Sequence, residues 1–142
     1  MDKPICIVVF ALVVSSCTTP REETHWNGLI SQDDNFGISN SYKSDLRWTR
    51  VGDEITGTGY YVAPQDTASH VLYSFEGRVE GDTIRLRETG IIYGTEIKGE
   101  WVTKDIILWY AKNSKDELLG TWVAQKIRSI GGKMKYTRVT ED

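Results

Sequence analysis

The chain has 142 residues, a formal charge of −3, 39% hydrophobic and 26% charged residues, and only 3 prolines and 2 cysteines. That length holds one compact domain and excludes a second core of ordinary size. The mild acidity argues against a function that depends on neutralising nucleic-acid phosphates, so no nucleic-acid partner is expected.

The first element is a targeting segment. Lys3 precedes an apolar run from Ile5 to Val14, followed by Ser15, Ser16 and Cys17. This is the profile of a signal peptide. The run is too short to span a bilayer, which takes roughly 20 apolar residues. The tetrapeptide Val14-Ser15-Ser16-Cys17 resembles the lipobox of bacterial lipoproteins. The resemblance implies a signal peptide over residues 1–16, acylation of Cys17 and cleavage before it, with the membrane as a partner through the lipid anchor. Each buried acyl methylene adds about 0.8 kcal/mol, so two or three chains make a stable attachment. Cys6 would leave with the signal peptide, so neither an internal disulfide nor a cysteine-ligated metal is expected. Residues 17–24 read as a polar, lipidated tether. A non-aspartate after the lipidated Cys resembles the rule for outer-membrane delivery in enterobacteria, and the Arg21-Glu22-Glu23 cluster is similar to surface-export signals of Bacteroidetes lipoproteins.

From His25 to the C-terminus, short alternating runs are separated by Gly, Asp, Asn and Lys turns, with no helical stripe. The expectation is an all-β domain over 25–142. The first strand is expected over about 26 to 31. Gly52-Asp53 then suits a two-residue hairpin. Counting outward from it sets Trp48 opposite Gly57 and Leu46 opposite Gly59, with Arg47-Thr58 and Thr49-Thr56 facing outward. Gly81-Asp82 predicts a second hairpin, with Val79 opposite Ile84, Gly77 opposite Leu86 and Phe75 opposite Glu88 on an apolar face. Its other face pairs Arg78 with Arg85 and Glu76 with Arg87. Lys104-Asp105 is expected to form a third hairpin, with Trp101 opposite Leu108 and Tyr110 opposite Gly99. The last strands are expected over about 118 to 125 and 132 to 139, with turns around 113–116 and 127–131.

Large side chains that repeatedly face glycines fit the interior of a small closed barrel, where strands bend sharply and space is shared. The expected fold is an antiparallel up-and-down barrel of about eight strands. The alternative is an open sandwich in which the glycines mark bulges. In outline the chain resembles lipocalin-like and avidin-like barrels, in the Trp26-to-Gly28 opening and in the late Leu119-Gly120-Thr121-Trp122 segment.

Catalytic and metal-binding patterns are sparse. His25 and His70 have no partner at metal spacing, and Gly57-Thr58-Gly59 lacks the lysine and helix of a phosphate loop. No serine sits in a nucleophile elbow. The expectation is a non-enzymatic protein with no cofactor and no metal. Glu88 is the most informative polar residue, because its register places a carboxylate on the apolar face. Such a group needs a partner or a raised pKa. Arg50 and Arg138 share the inward parity and are the candidates. Glu88 is then either half of a structural ion pair or a polar fixture at the mouth of a ligand cavity. Trp48, Tyr61, Tyr73, Phe75, Trp101, Tyr110, Trp122 and Tyr136 share that parity, so the lumen is either filled by rings or holds one small ligand. Trp48, Tyr73, Glu88, Trp101, Trp122 and Arg138 are the candidate ligand-binding set. Val102, Ile107 and Trp109 are expected to form an outward apolar patch for a partner.

The functional expectation is a bacterial envelope lipoprotein, placed at the outer membrane, whose barrel binds a small apolar molecule or an envelope protein. The alternatives are a structural or assembly lipoprotein with no ligand cavity and a lipocalin-like enzyme using Glu88.

Overall fold

The structure is a computed structural model that describes residues 19–33, 41–95 and 101–141. The signal-peptide and Cys17 expectations therefore lie outside the described residues, as does Gly99.

Eight strands follow one another: β1 (Arg21–Gln32), β2 (Ser41–Val51), β3 (Glu54–Val62), β4 (His70–Glu80), β5 (Thr83–Gly94), β6 (Lys104–Tyr110), β7 (Glu117–Ala124) and β8 (Gly131–Arg138). Each pairs antiparallel with the next, and β8 pairs with β1 to close an up-and-down barrel. Closure leaves no open sheet edge and excludes the sandwich.

Period-two alternation builds this directly. In β2, Tyr42, Ser44, Leu46 and Trp48 point inward and are buried, while Lys43 and Arg47 point out and are exposed. In β8, Gly132, Met134 and Tyr136 point inward between the exposed Lys133 and Lys135. Gly52 and Gly81 both adopt φ of +61°, which the first position of a II′ hairpin turn requires and a side chain resists. The registers around both turns are those expected: Trp48↔Gly57 and Leu46↔Gly59, then Val79↔Ile84, Gly77↔Leu86 and Phe75↔Glu88. A large ring does fill the space that a glycine leaves. A Cβ on Gly57 would stand 2.8 Å from the Phe75 ring and 2.1 Å from the Arg47 carbonyl oxygen.

The third hairpin is not there. Lys104 and Asp105 begin β6, which runs back along β5 with Arg87↔Asp105 and Ile84↔Leu108. Tyr110 pairs with Leu118, not Gly99, and Leu108 pairs with Gly120, not Trp101. The reason lies in parity. Lys104, Ile106 and Leu108 form one buried row, so Lys104 is an inward strand residue whose charge is met inside the barrel.

The lumen is filled by its own side chains. Trp26, Leu46, Trp48, Ile55, Tyr61, Tyr73, Phe75, Leu108, Leu118, Trp122 and Tyr136 are all buried. Trp26 stacks on Trp48 at 5.7 Å between ring centroids, and Phe75 meets Trp48 edge-on. Side chains so little exposed border no water-sized void. Where Trp26, Trp48, Tyr110 and Arg138 frame the end of the barrel, the enclosed space is about 20 Å³. That is far below the roughly 300 Å³ of a small-molecule site.

Candidate functional site

The most concentrated chemistry lies in the half of the barrel reached by the β3–β4 and β5–β6 connections. Glu88 and Lys104 meet there as a buried pair, with Lys104 Nζ 3.0 Å from Glu88 Oε1 and the two side chains 8% and 0% exposed. The same carboxylate oxygen accepts the Lys104 backbone N–H at 2.8 Å, and its other oxygen accepts the Tyr61 hydroxyl at 3.0 Å. Lys104 Nζ also donates to the Val102 carbonyl and sits 4.2 Å from the ring centroids of both Tyr61 and Tyr73. Gln125 donates to the carbonyls of Glu88 and Lys104, bridging β5 and β6 where their ladder ends. Tyr73 donates to Val102 O, and Tyr136 shares a 2.7 Å hydrogen bond with Ser44. Among the described residues, every buried side-chain polar atom has a partner.

Desolvation governs the electrostatics. Burial raises the Glu88 pKa, and the Lys104 charge and hydrogen bonds oppose that rise. Burial lowers the Lys104 pKa, and Glu88 opposes that fall. The phenols of Tyr61, Tyr73 and Tyr136 are pushed up, first by burial and also by the nearby carboxylate. A neutral phenol at Tyr61 is therefore a donor held for Glu88.

Arg50 and Arg138 do not reach Glu88. Arg50 bonds the Gly52 carbonyl and Asp53 in its own turn, and Arg138 pairs with Glu22 while lying 6.0 Å from the Trp26 ring. Both sit at the end of the barrel where β1 begins and β8 ends, whereas Glu88 is toward the other end. The true partner, Lys104, carried a signal in the sequence. It stands two and four residues before Ile106 and Leu108, on the parity of an inward row.

The candidate ligand set is distributed through the lumen and does not line one cavity. Tyr73, Glu88 and Trp122 surround Lys104. Trp48 packs in the other half with Trp26 and Phe75. Trp101 is half-buried against Tyr42 near the β5–β6 connection, and Arg138 caps the far end. The expected partner patch also divides. Val102 packs against the core, while Ile107 and Trp109 lie on the outward row of β6, with Trp109 38% exposed.

A larger apolar surface was not singled out in the sequence. Ile91, Ile92 and Tyr93 are consecutive and 47%, 55% and 51% exposed. Two register shifts between β4 and β5 produce them: Phe75 pairs with Glu88 but Ser74 with Gly90, and Tyr73 pairs with Ile91 but Leu72 with Tyr93. Thr89 and Ile92 are the extra residues, and bulges of this kind turn side chains away from the core. Beside them, the His70 ring lies between Tyr60 at 5.9 Å and Tyr93 at 6.0 Å, extending the patch across β3 and β4. No local motif announces a bulge, which is why alternation alone misses it.

Among the described residues, no group of His, Cys, Asp and Glu is arranged to hold a metal ion. Neither a protein-family model nor a curated protein is similar enough to the chain to count as a match.

Proposed function

We propose that this protein is a lipid-anchored component of the bacterial envelope, a binding module whose solid barrel presents its outer wall to a protein partner. The observation that carries the reading is the contrast between a lumen filled by its own rings and three consecutive apolar residues, Ile91 to Tyr93, about half exposed on the bulged end of β5. A small apolar ligand has no room among the inward rings, whereas a patch of Ile91, Ile92, Tyr93, Tyr60 and His70 suits the apolar face of another protein. The lipobox-like Val14-Ser15-Ser16-Cys17 supports the anchor, and a short polar tether would hold the domain close to the membrane.

A photo-crosslinking residue at position 92, introduced in the producing cells, tests the partner. The expected result is one discrete protein adduct that disappears when Ile91 and Tyr93 are also changed to Ser. No adduct, or an adduct equally strong from the outward Thr121 on the other side of the barrel, contradicts it. Uptake of a labelled fatty acid, lost on Cys17→Ser, checks the anchor separately.

A further inference from the structure

The charge of the chain is polarised. Residues 111–138 carry seven Lys and Arg against two carboxylates, in a protein whose net charge is −3. This stretch is the β7–β8 hairpin with its flanking turns, so the fold gathers the excess on one side of the barrel.

The registers place the side chains. Lys133 and Lys135 project outward from β8, flanked by Thr121 and Leu119 of β7 and by Ser31 and Leu29 of β1. Lys126 stands in the β7–β8 turn beside Ile127, which is 49% exposed, and Leu29 is 53% exposed. Of the outward positions 27, 29 and 31 of β1, 117, 119, 121 and 123 of β7, and 133, 135 and 137 of β8, Glu117, opposite Thr137, is the one carboxylate, and it lies away from Lys126 and Lys133. Lys126, Lys133 and Lys135 are exposed, and none is ion-paired among the described residues. Two other cations of this stretch are paired, Arg128 with Asp105 and Arg138 with Glu22, which leaves the lysines as its free charges among the described residues. Trp109 on β6 and Lys43 on β2 border this side, each two strands from β8.

We infer that the β7–β8–β1 side of the barrel rests on an anionic lipid surface. Unpaired lysines are attracted to phosphate headgroups, and their aliphatic stems lie along the surface beside Leu29 and Ile127. Exposed apolar side chains among them would enter the headgroup boundary, as an interfacial tryptophan such as Trp109 does. The tether enters at Arg21, at the opposite end of β1 from Leu29 and Ser31, which pair with Lys135 and Lys133, so the anchor does not select this side. One chain plus a basic patch makes a firmer attachment than either alone. The bulged β5 patch then faces away, because β4 and β5 lie across the barrel from β8 and β1. The lipid-facing side stands on charge and exposure and does not depend on the lipoprotein reading.

The barrel is closed and every strand is paired on both sides, so residues 19–142 form a self-contained folding unit. This unlipidated domain is sedimented with vesicles of phosphatidylcholine alone and with 30% phosphatidylglycerol added. The expected result is binding to the anionic vesicles only, abolished by high salt. Replacing Lys126, Lys133 and Lys135 with Gln should lower partitioning roughly a hundred-fold, at about five-fold per lysine. The thermal midpoint should stay unchanged, because the three side chains are exposed. Arg78→Gln with Arg87→Gln, on the opposite wall, should bind like the wild type. Absence of binding to anionic vesicles, retention of binding by the lysine variant, or equal loss in the arginine variant overturns the proposal. No lipid is attached in these experiments, so a failure here is distinct from a failure of Cys17 to take up label.

Discussion

Lys104 and Glu88 form a buried ion pair whose components can be separated by substitution. Taking two charges out of water is costly, and their attraction repays it only with good geometry and full hydrogen bonding. Here the carboxylate has three donors and the ammonium has a carboxylate, a carbonyl and two ring faces. Removing only the cation, in Lys104→Met, leaves a buried carboxylate and should destabilise the fold by about 3–5 kcal/mol. Changing both, in Glu88→Leu with Lys104→Met, should recover most of that loss, as well-packed apolar replacements of buried pairs do. Equilibrium denaturation of the three proteins checks both statements, and a double variant no better than the single one would contradict them. The sign of the pH response follows. In Lys104→Met the folded-state pKa of Glu88 is raised by burial with no cation to oppose it. The folded form then binds the proton more tightly, so stability is full below the ordinary value near 4.5 and is lost as pH rises through the raised value. In the wild type, the lowered Lys104 pKa gives the opposite slope below its ordinary 10.5. The variant's denaturation midpoint should therefore fall as pH rises above the ordinary value of 4.5. Glu88 was legible as a buried carboxylate because a two-residue turn sets its register. Its partner was less legible: Lys104 shares the parity of Ile106 and Leu108, but Thr103-Lys104-Asp105 has the composition of a turn, and a lysine's reach into a barrel depends on the tertiary fold.

Hairpins with tight turns were the legible elements, and the glycines show why. Gly81 lies at φ +61° with nothing within 4 Å of an added Cβ, so only backbone conformation restricts it. Gly77 lies in β4, where a Cβ would stand 2.0 Å from the Arg85 carbonyl oxygen and 2.7 Å from the Leu86 side chain. The two positions report different physics. Gly81→Ala should cost about 1 kcal/mol through left-handed backbone strain. Gly77→Ala should cost more, about 1–3 kcal/mol, because the β4–β5 pairing must shift. Thermal melts of the two variants compare them directly, and a reversed order would mean that the β4–β5 register yields easily. The longer connections were less legible. Residues 95–103 link β5 to β6 without a turn pair, and the ladder between those strands ends early because the Glu88 carboxylate takes the Lys104 N–H that a continuing ladder would have used. The bulges that expose Ile91 to Tyr93 escaped for a related reason. Strict alternation assumes an unbroken ladder, and an inserted residue reverses the inward parity without changing composition.

Across the whole molecule, inward space, outward apolar surface and charge are distributed unequally. Glycines at the strand bends let Trp48, Phe75, Leu86 and Leu108 fill the lumen. The bulges place apolar surface on the β4–β5 wall, and the lysines of residues 111–138 gather around β7 and β8. A barrel built this way interacts through its walls. The number of inward rings in the sequence favours a filled lumen, but alternation does not decide it, because parity identifies which rings point inward but not how tightly they meet. The most direct measurement is a titration of residues 19–142 with a fluorescent fatty acid, following probe emission and tryptophan quenching together. A filled lumen predicts no saturable one-to-one site and no quenching of the buried Trp48 and Trp122. Stoichiometric binding that is lost on Trp48→Ala or Trp122→Ala, in variants that remain folded, would show that the rings part to admit a ligand and would contradict a barrel that works by its outer wall.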